Sequence, residues 1–281
     1  MLPRLFALLI SMVLGFCNLV LTGDLKPEEI IARHLQSVGL PEARAGSNSR
    51  LVEGTASYRL LVGGSGQLQG KAVFASQGRK THFLLKVLTS QYYGEQFICD
   101  GEHTNVSATY SDKTYSDLAD FIKAQDVALR EGLLGGVLTT AWPLLDLNSR
   151  NSKLASHGTK TVDGHELVVV RYVPKKYSDL EILLYFDKES FHHVLTTYTA
   201  TIAPRIALTD EESAREQEDR YRIEERFSDF QTADGLTLPS HYELRFTKEL
   251  SHGFTKSVLW EVTGNRVSNN LSFDPRNFQI K

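Results

Sequence analysis

The segment from Val127 to Leu147, VALREGLLGGVLTTAWPLLDL, most constrains what this chain can fold into. It is almost entirely apolar, and it lies among segments that alternate like β-strands. A helix that is apolar on every side has no face for water and must be buried by other parts of the protein. A membrane span needs about 20 apolar residues without a break, whereas Trp142-Pro143 interrupts this segment. Two interpretations fit: a core helix, or a lid over a concave apolar sheet.

The first residues have the pattern of an export signal. Arg4 precedes an apolar run from Leu5 to Leu21, and a polar sequence follows from Asp24. A charged start before an apolar run is typical of a secretory signal peptide. We therefore predict a signal peptide over residues 1–23, one mature domain over residues 24–281, and a location in the periplasm. The alternative is an uncleaved N-terminal anchor.

Charge and cysteine content argue against several classes of function. The chain of 281 residues has a formal net charge of −3, so it has no overall basic field, and we expect no nucleic-acid partner. The two cysteines are Cys17 and Cys99. Cys17 raises the alternative of a lipoprotein signal, in which it would be lipidated. If Cys17 is instead lost with the signal peptide, Cys99 has no partner for a disulfide. We expect Cys99 to lie in the core as a small apolar residue.

Most of the mature chain alternates between apolar and polar residues, which predicts β-strands. One such series runs from Thr55 to Val62 and ends at the turn Gly63 to Gly66. Asp-Gly pairs, which favour tight hairpin turns, end several others. These short spacings indicate an antiparallel meander rather than βαβ units. Helical spacing occurs in Asp24 to Val38 and in Tyr115 to Gln125.

A sheet of this many strands curls, because the twist of its strands accumulates. Its concave face would be apolar and would need to be filled by helices, by a ligand or by both. The predicted fold class is therefore α+β and mainly β, a curled antiparallel half-barrel with helices covering its concave apolar face. We expect a single domain with a helical lid around residues 115–147.

No arrangement of residues typical of an enzyme occurs in the sequence. The nucleophile-elbow pattern GxSxG and the phosphate-binding pattern GxxxxGK[ST] are absent. His192 and His193 are adjacent in a strand pattern, so they point to opposite faces and do not bind one metal together. We therefore predict a protein without a catalytic site, a metal or a cofactor. An enzyme whose residues converge only in three dimensions is the alternative.

Three strand-and-turn motifs carry a resemblance to a known family. They are FICDGE at Phe97 to Glu102, LLYFDKE at Leu183 to Glu189, and RFSDF with DGLTLP at Arg226 to Pro239. With the exported N-terminus, the two meanders and the apolar insertion, the chain resembles the LolA/LolB-like superfamily of periplasmic lipoprotein carriers and its outer membrane lipoprotein-sorting relatives. The resemblance extends from about Lys26 to Phe278.

This resemblance implies a half-open barrel of about eleven antiparallel strands, with helices as a lid over a hydrophobic cavity. Members carry the acyl chains of lipoproteins or related lipids across an aqueous compartment, and others bind or sense acylated ligands. Burial alone supplies the affinity, at about 0.8 kcal/mol for each methylene. The family's cavity arginine has no matching motif in this sequence, and Arg59, Arg130 and Arg171 are all candidates for it.

The predicted ligand-binding site consists of apolar residues from the sheet and from the insertion. The sheet contributes Phe74, Phe83, Leu85, Val87, Leu184 and Phe186. The insertion contributes Leu133, Leu134, Val137 and Trp142. The alternative is a dry core in which the same residues leave no room for a ligand.

The leading hypothesis is the periplasmic binding or carriage of lipoprotein acyl chains or other lipids, without catalysis. The partner would be a lipid or an acylated lipoprotein, with peripheral or transient contact with a membrane, and we expect a monomer. The alternative is a cell-envelope interaction or sensory protein that uses the same fold as a platform. It would bind an envelope protein through its convex face or through the acidic segment Asp210 to Arg220.

Overall fold

The structure is a computed structural model that describes residues 25–87, 89, 92–202 and 218–280. The predicted signal peptide, including Cys17, lies outside the described residues, and so does the acidic segment from Asp210 to Gln217. No helix in the described ranges is long and apolar enough to cross a membrane.

One antiparallel sheet of twelve strands dominates the described part of the chain. The strands are β1 Ser49–Val62, β2 Gln67–Gln77, β3 Lys80–Val87, β4 Glu95–Cys99, β5 Thr104–Ser107, β6 Lys153–Val162, β7 His165–Val173, β8 Glu181–Asp187, β9 His193–Ile202, β10 Asp219–Ala233, β11 Leu236–Glu249 and β12 Thr255–Asn269. Their spatial order is β5-β4-β3-β2-β1-β12-β11-β10-β9-β8-β7-β6. Two meanders therefore join where β1 pairs with β12, and the curled sheet stays open between β5 and β6. The predicted fold class is confirmed.

Short helices accompany the sheet. They are α1 Pro27–Val38, α2 Pro41–Gly46, α3 Asp117–Ala124, α4 Val127–Arg130 and α5 Leu147–Arg150, with 3₁₀ turns at Gly136–Leu138, Pro143–Asp146 and Pro275–Phe278. Helices α1 and α3 lie where helical spacing predicts them. Proline occupies the first turn of α1, where its missing N–H leaves no hydrogen bond unmade. Ser116 caps α3 by accepting a hydrogen bond from the Ala119 N–H.

The apolar segment Val127 to Leu147 is not a continuous helix, which corrects the expectation of a helical lid along its whole length. It contains α4 and two 3₁₀ turns, and the rest is irregular. Gly132, Gly135 and Gly136 have φ of 71°, 76° and 47°. These values lie in the left-handed region, which glycine enters freely and which a right-handed helix does not use. Apolar composition predicted the burial of the segment, whereas its glycines determine its conformation.

The ends of the strands define two ends of the half-barrel. At one end β1 finishes, β12 begins, and α3 is tied to the sheet through Asp117, which accepts hydrogen bonds from Lys248 (3.0 Å) and Lys256 (2.7 Å). At the other end α1 and α2 lie near the β10–β11 turn, where Gly39 bridges to Leu236. The insertion runs between the two ends through the concave side.

Candidate binding site inside the half-barrel

All ten predicted site residues lie in one buried apolar cluster, and none is more than 4 % exposed. Phe74, Phe83, Leu85 and Leu134 surround one point in the interior. The rings of Phe74 and Phe83, which are paired across β2 and β3, have centroids 4.9 Å apart. Trp142 lies apart from this group, and its ring stacks on His193 at 4.7 Å. The concave face thus brings sheet and insertion residues together as two adjoining groups.

The described interior around these residues holds little empty space. The void among Phe74, Phe83, Leu85 and Leu134 has a volume of about 10 Å³, which is at the lower limit for a single water molecule. Leu133 to Trp142, called the plug segment below, fills the concave side of the sheet. An acyl chain could enter the concave side of the sheet only after the plug segment has moved out of it.

Glycine is required at two points of the plug segment. A Cβ atom on Gly135 would lie 2.8 Å from the Phe83 ring, and one on Gly136 would lie 2.9 Å from Phe227. Both residues also have positive φ. The segment therefore approaches the sheet more closely than any other residue type allows at these positions.

Three buried side chains of the sheet hold the backbone of the plug segment. Arg50 Nη1 donates to the Val137 carbonyl oxygen at 2.5 Å. The Thr140 N–H donates to Ser76 Oγ at 2.9 Å. The Gly135 N–H donates to Glu225 Oε1 at 2.6 Å. Because the plug segment is irregular, these contacts pair backbone groups that would otherwise be buried without a partner.

Arg50 is an interior arginine that reasoning from the sequence missed. Its side chain is 3 % exposed, and burial lowers its pKa to about 10, so it stays charged at neutral pH. Of the three arginines considered from the sequence, Arg59 pairs with Glu261 at 2.9 Å, Arg130 pairs with Asp126, and Arg171 is exposed. The signal for Arg50 is its phase, because it shares a strand face with the buried residues Val52 and Ala56.

Glu225 is the second polar residue that reasoning from the sequence missed. It is fully buried and accepts hydrogen bonds from the hydroxyls of Tyr198 (2.6 Å) and Tyr242 (2.7 Å) as well as from Gly135. Burial raises the pKa of Glu225 to about 7. It lies in phase with Ile223 and Phe227 on β10, which is the signal that could have identified it. A carboxyl in this position links the sheet, two tyrosines and the plug segment.

Trp142 ends the plug segment in a group of rings. Its indole N–H donates to His34 Nε2 at 3.1 Å, and His34 Nδ1 lies 3.1 Å from the Phe191 carbonyl oxygen. This arrangement fits a neutral imidazole with its proton on Nδ1. Burial lowers the pKa of His34 to about 4 and that of His193 well below its ordinary value. Both imidazoles are therefore neutral at physiological pH and serve the interior as hydrogen-bonding rings.

Helix α3 closes the concave side at the end where β1 finishes. Glu95 is buried beneath it and accepts hydrogen bonds from Ser116 (2.6 Å) and from Tyr92. Burial raises the pKa of Glu95 to about 7. Phe121 of α3 stacks on Tyr221 at 5.8 Å. The insertion is thus fixed at both ends, by a buried carboxyl under α3 and by another under the plug segment.

The outer face of the sheet carries a separate pocket of about 440 Å³. Its lining includes Leu167, Leu195 and Phe230 with His192 and Arg226. His192 lies here while His193 lies in the interior, so the two point to opposite faces as the strand pattern predicts. None of the ten residues predicted from the sequence lines this pocket.

A group of possible metal ligands lies beside it. Ligand atoms of His241, Glu243 and Glu261 all lie within 4.8 Å of one another on the outer face. Glu243 and Glu261 are paired across β11 and β12, and like charges in that position repel. Arg59 offsets part of this charge through its ion pair with Glu261.

No family model matches this sequence, and no curated protein matches it. Among solved structures, a LolA superfamily protein from Nitrosomonas europaea is similar, with a TM-score of 0.46, 12 % identity, and coverage of 91 % of this chain and 98 % of that chain. A DUF1329 family protein from Desulfovibrio piger has a TM-score of 0.47, 11 % identity, and coverage of 90 % and 96 %. A proposed outer membrane lipoprotein-sorting protein domain from Vibrio parahaemolyticus has a TM-score of 0.43, 10 % identity, and coverage of 88 % and 95 %.

These similarities are similarities of backbone fold. The family that the sequence motifs resemble is represented among the similar structures. At such low identity and with TM-scores below 0.5, the likeness does not identify a ligand for this chain.

Proposed function

We propose that this protein binds the acyl chain of a lipid or of an acylated lipoprotein inside the half-barrel, in the space that the plug segment fills. The ten apolar residues predicted from the sequence would line the site, and no catalytic step is involved. The protein would act in the periplasm, after export by its N-terminal signal. One observation carries the proposal: an irregular apolar segment, and not a regular element of the fold, fills the concave face of the sheet.

Exchange of the plug segment for an acyl chain is energetically feasible. Each methylene that leaves water contributes about 0.8 kcal/mol, and the apolar side chains of the plug segment lose a similar amount when they are exposed. These two quantities nearly offset each other. The hydrogen bonds from Arg50, Ser76 and Glu225, at about 0.5–1.5 kcal/mol each, then decide whether the closed form prevails. A ligand binds when the free energy gained by burying its acyl chain exceeds the cost of exposing the plug segment and breaking these hydrogen bonds.

A reversible crosslink across the plug segment tests this proposal. Ser76→Cys combined with Thr140→Cys would join β2 to the plug segment, because Ser76 Oγ and the Thr140 nitrogen are 2.9 Å apart. Cys17 and Cys99 are replaced by alanine in this variant. We expect the reduced protein to bind a fluorescent palmitoyl probe at least as tightly as the parent does, because it lacks the Ser76 hydroxyl that holds the plug segment. The oxidised protein should bind the probe at least ten-fold more weakly than the reduced protein.

A second cysteine pair serves as the control. Thr232→Cys with Thr237→Cys lies across the β10–β11 hairpin, where the two hydroxyls are 2.8 Å apart and exposed, and its oxidation should not change probe binding. Equal binding by oxidised and reduced forms of the plug crosslink would contradict movement of the plug segment. Absence of probe binding by the parent, with a ligand-free native mass after purification from its own envelope, would contradict the proposed function itself.

The second candidate function is that of a platform for an envelope protein. Two observations favour it: the plug segment occupies the concave face, and a pocket of about 440 Å³ lies on the outer face. Substitution of Phe230 and Arg226 by alanine should then abolish capture of that partner. The same variant should leave palmitoyl probe binding unchanged, so the two candidates are distinguished.

A further inference from the structure

Exposed hydrophobic side chains are concentrated at one end of the half-barrel. Among the described residues, twelve large hydrophobic side chains are exposed. Seven of the twelve lie where β1, β5 and β9 end and where β4 and β12 begin: Leu61, Val62, Tyr93, Tyr110, Tyr115, Ile202 and Phe254. These seven residues are called the loop rim below. Scattered single hydrophobic residues need no explanation, whereas a concentration of them marks an interaction site.

Contacts join several neighbouring loops of the loop rim. The rings of Tyr93 and Tyr115 have centroids 5.1 Å apart, and Lys86 Nζ lies 5.0 Å from the Tyr110 ring. Asp117, two residues after Tyr115, bridges to Lys248 and Lys256 on β11 and β12. Those strands carry Phe254 at their turn. The loops that follow β5 and β11 are thereby joined around the end of α3.

An arginine-rich pocket lies directly beside the loop rim. It has a volume of about 230 Å³, lies on the outer face of β10, β11 and β12, and is lined by Val62 of the loop rim. Its lining carries three positive charges, from Arg220, Arg222 and Arg245, and two negative charges, from Glu224 and Glu249. We call it the arginine pocket.

The arginines of this pocket are incompletely paired. Arg222 forms an ion pair with Glu224 at 2.9 Å, while Arg220 and Arg245 form no ion pair with another described residue. The Nε atoms of Arg222 and Arg245 are buried and lack a hydrogen-bond partner among the described residues. A phosphate oxygen is the acceptor that guanidinium groups bind best.

We propose that the loop rim and the arginine pocket together form a surface that docks on a phospholipid bilayer. The rim side chains would enter the interfacial layer, and the arginine pocket would receive a headgroup phosphate. Tyrosine favours the membrane–water boundary because its ring is apolar and its hydroxyl is polar.

The sequence of the loops favours a bilayer over a protein partner. The stretches GGSG (63–66) and LSHGF (250–254) contain no Asp, Glu, Lys or Arg, so their insertion brings no acidic side chain, lysine or arginine out of water. The loop that carries Tyr110 and Tyr115 contains one charge of each sign, Asp112 and Lys113. The hydrophobic groups also stand on separate loops around a curved end. They therefore suit a soft, flat surface better than a shape-matched groove.

The docking surface would supply the lipid for the proposed acyl-chain binding, and this role rests on the proposed function. Helix α3, which lies between the loop rim and the interior, would stand at the point where an acyl chain passes from the bilayer into the half-barrel. Docking itself requires no ligand inside. Vesicle binding and probe binding are therefore separate readouts, and either can fail alone.

Flotation with phospholipid vesicles tests the surface with the full chain. We expect the protein to float with phosphatidylcholine vesicles, and more strongly when one quarter of the lipid is phosphatidylglycerol. Tyr110→Ser with Phe254→Ser removes two side chains that are 64 % and 43 % exposed, and it should reduce binding to both vesicles at least ten-fold. The control is Leu40→Ser with Leu271→Ser, which are 72 % and 38 % exposed at the opposite end, and it should bind as the parent does.

The arginine pocket is tested with the same vesicles. Arg220→Gln with Arg245→Gln should abolish the gain from phosphatidylglycerol and its salt dependence, while Arg266→Gln, an exposed arginine far from the pocket, should leave both intact. Inorganic phosphate at constant ionic strength should not displace the protein. Displacement would assign the pocket to a free anion and overturn its part in docking. A parent protein that stays unbound, or a control as weak as the rim variant, would overturn the docking surface even if the palmitoyl probe binds.

Discussion

The plug segment and helix α3 belong to the same insertion and close the same concave face, but they are held in different ways. Helix α3 is regular, is capped by Ser116, and is tied to the sheet by the partly exposed ion pairs of Asp117. The plug segment is irregular and is tied by buried hydrogen bonds to its backbone from Arg50, Ser76 and Glu225.

This difference shows where each conformation is encoded. The helical spacing and the Ser116 cap of α3 are local signals, although a helix of eight residues still needs its packing on the sheet to be stable. The conformation of the plug segment depends on side chains from distant strands, and it exists only while the sheet surrounds it. When the contacts that hold such a segment are broken, the whole segment leaves its position at once. We therefore expect changes at the plug segment to have larger effects than changes at α3.

Gly135→Ala should have the largest effect. The new Cβ would lie 2.8 Å from the Phe83 ring, on a residue with φ of 76°. Strain at positive φ and overpacking of a buried site together cost about 2–4 kcal/mol of unfolding free energy, measured by denaturant titration. Gly46→Ala is the control, since no atom lies within 4 Å of its added Cβ, and it should be neutral or slightly stabilising. Equal effects of both substitutions would show that the plug segment is not held as described.

Glu225→Gln should change how the free energy of unfolding depends on pH, because Glu225 is a buried carboxyl with a raised pKa. Burial raises the pKa of Glu225 and of Glu95 from 4.5 to about 7. Their contribution to the free energy of unfolding is fully present below pH 4.5 and is lost as the pH rises through 7. Between these two values the carboxyls are protonated in the folded protein and ionised in the unfolded chain. Burial lowers the pKa of His34 from 6.5 to about 4, and that of His193 further. Their contribution is present above pH 6.5 and is lost as the pH falls.

Between pH 4.5 and 6.5 the carboxyls and the imidazoles act in opposite directions, and burial also lowers the pKa of His82 and of His192. Loss of the Glu225 carboxyl should make the slope of unfolding free energy against pH more positive than that of the parent, by about 1.4 kcal/mol per pH unit. Denaturant titrations at several pH values measure the slope. Glu224→Gln, on the outer face of the same strand and paired with Arg222, should keep the slope of the parent. A slope in Glu225→Gln equal to that of the parent would contradict a protonated interior carboxyl.

The sequence predicted the sheet and the burial of the insertion better than it predicted what holds the insertion. Strand alternation and turn residues are local signals, and they gave the two meanders and the buried position of Phe83 and Leu85. Arg50 and Glu225 were missed because their partners are backbone atoms of a segment far away in the chain. Sequence periodicity also does not measure volume, so it left open whether the interior is empty, and the structure shows the plug segment filling it.

Asp117→Asn should have the smallest effect on stability and a distinct effect on rate. Its ion pairs with Lys248 and Lys256 are partly exposed, so their loss costs about 0.2–1 kcal/mol. If α3 covers the route to the interior, the variant should take up the palmitoyl probe faster in stopped-flow measurements, and salt should accelerate the parent toward the same rate. Glu166→Gln is the control, because it removes an exposed ion pair with Lys188 on the outer strands, and it should not change uptake. Identical rates in both variants would mean that α3 stays in place while the plug segment moves, so that the ligand enters elsewhere.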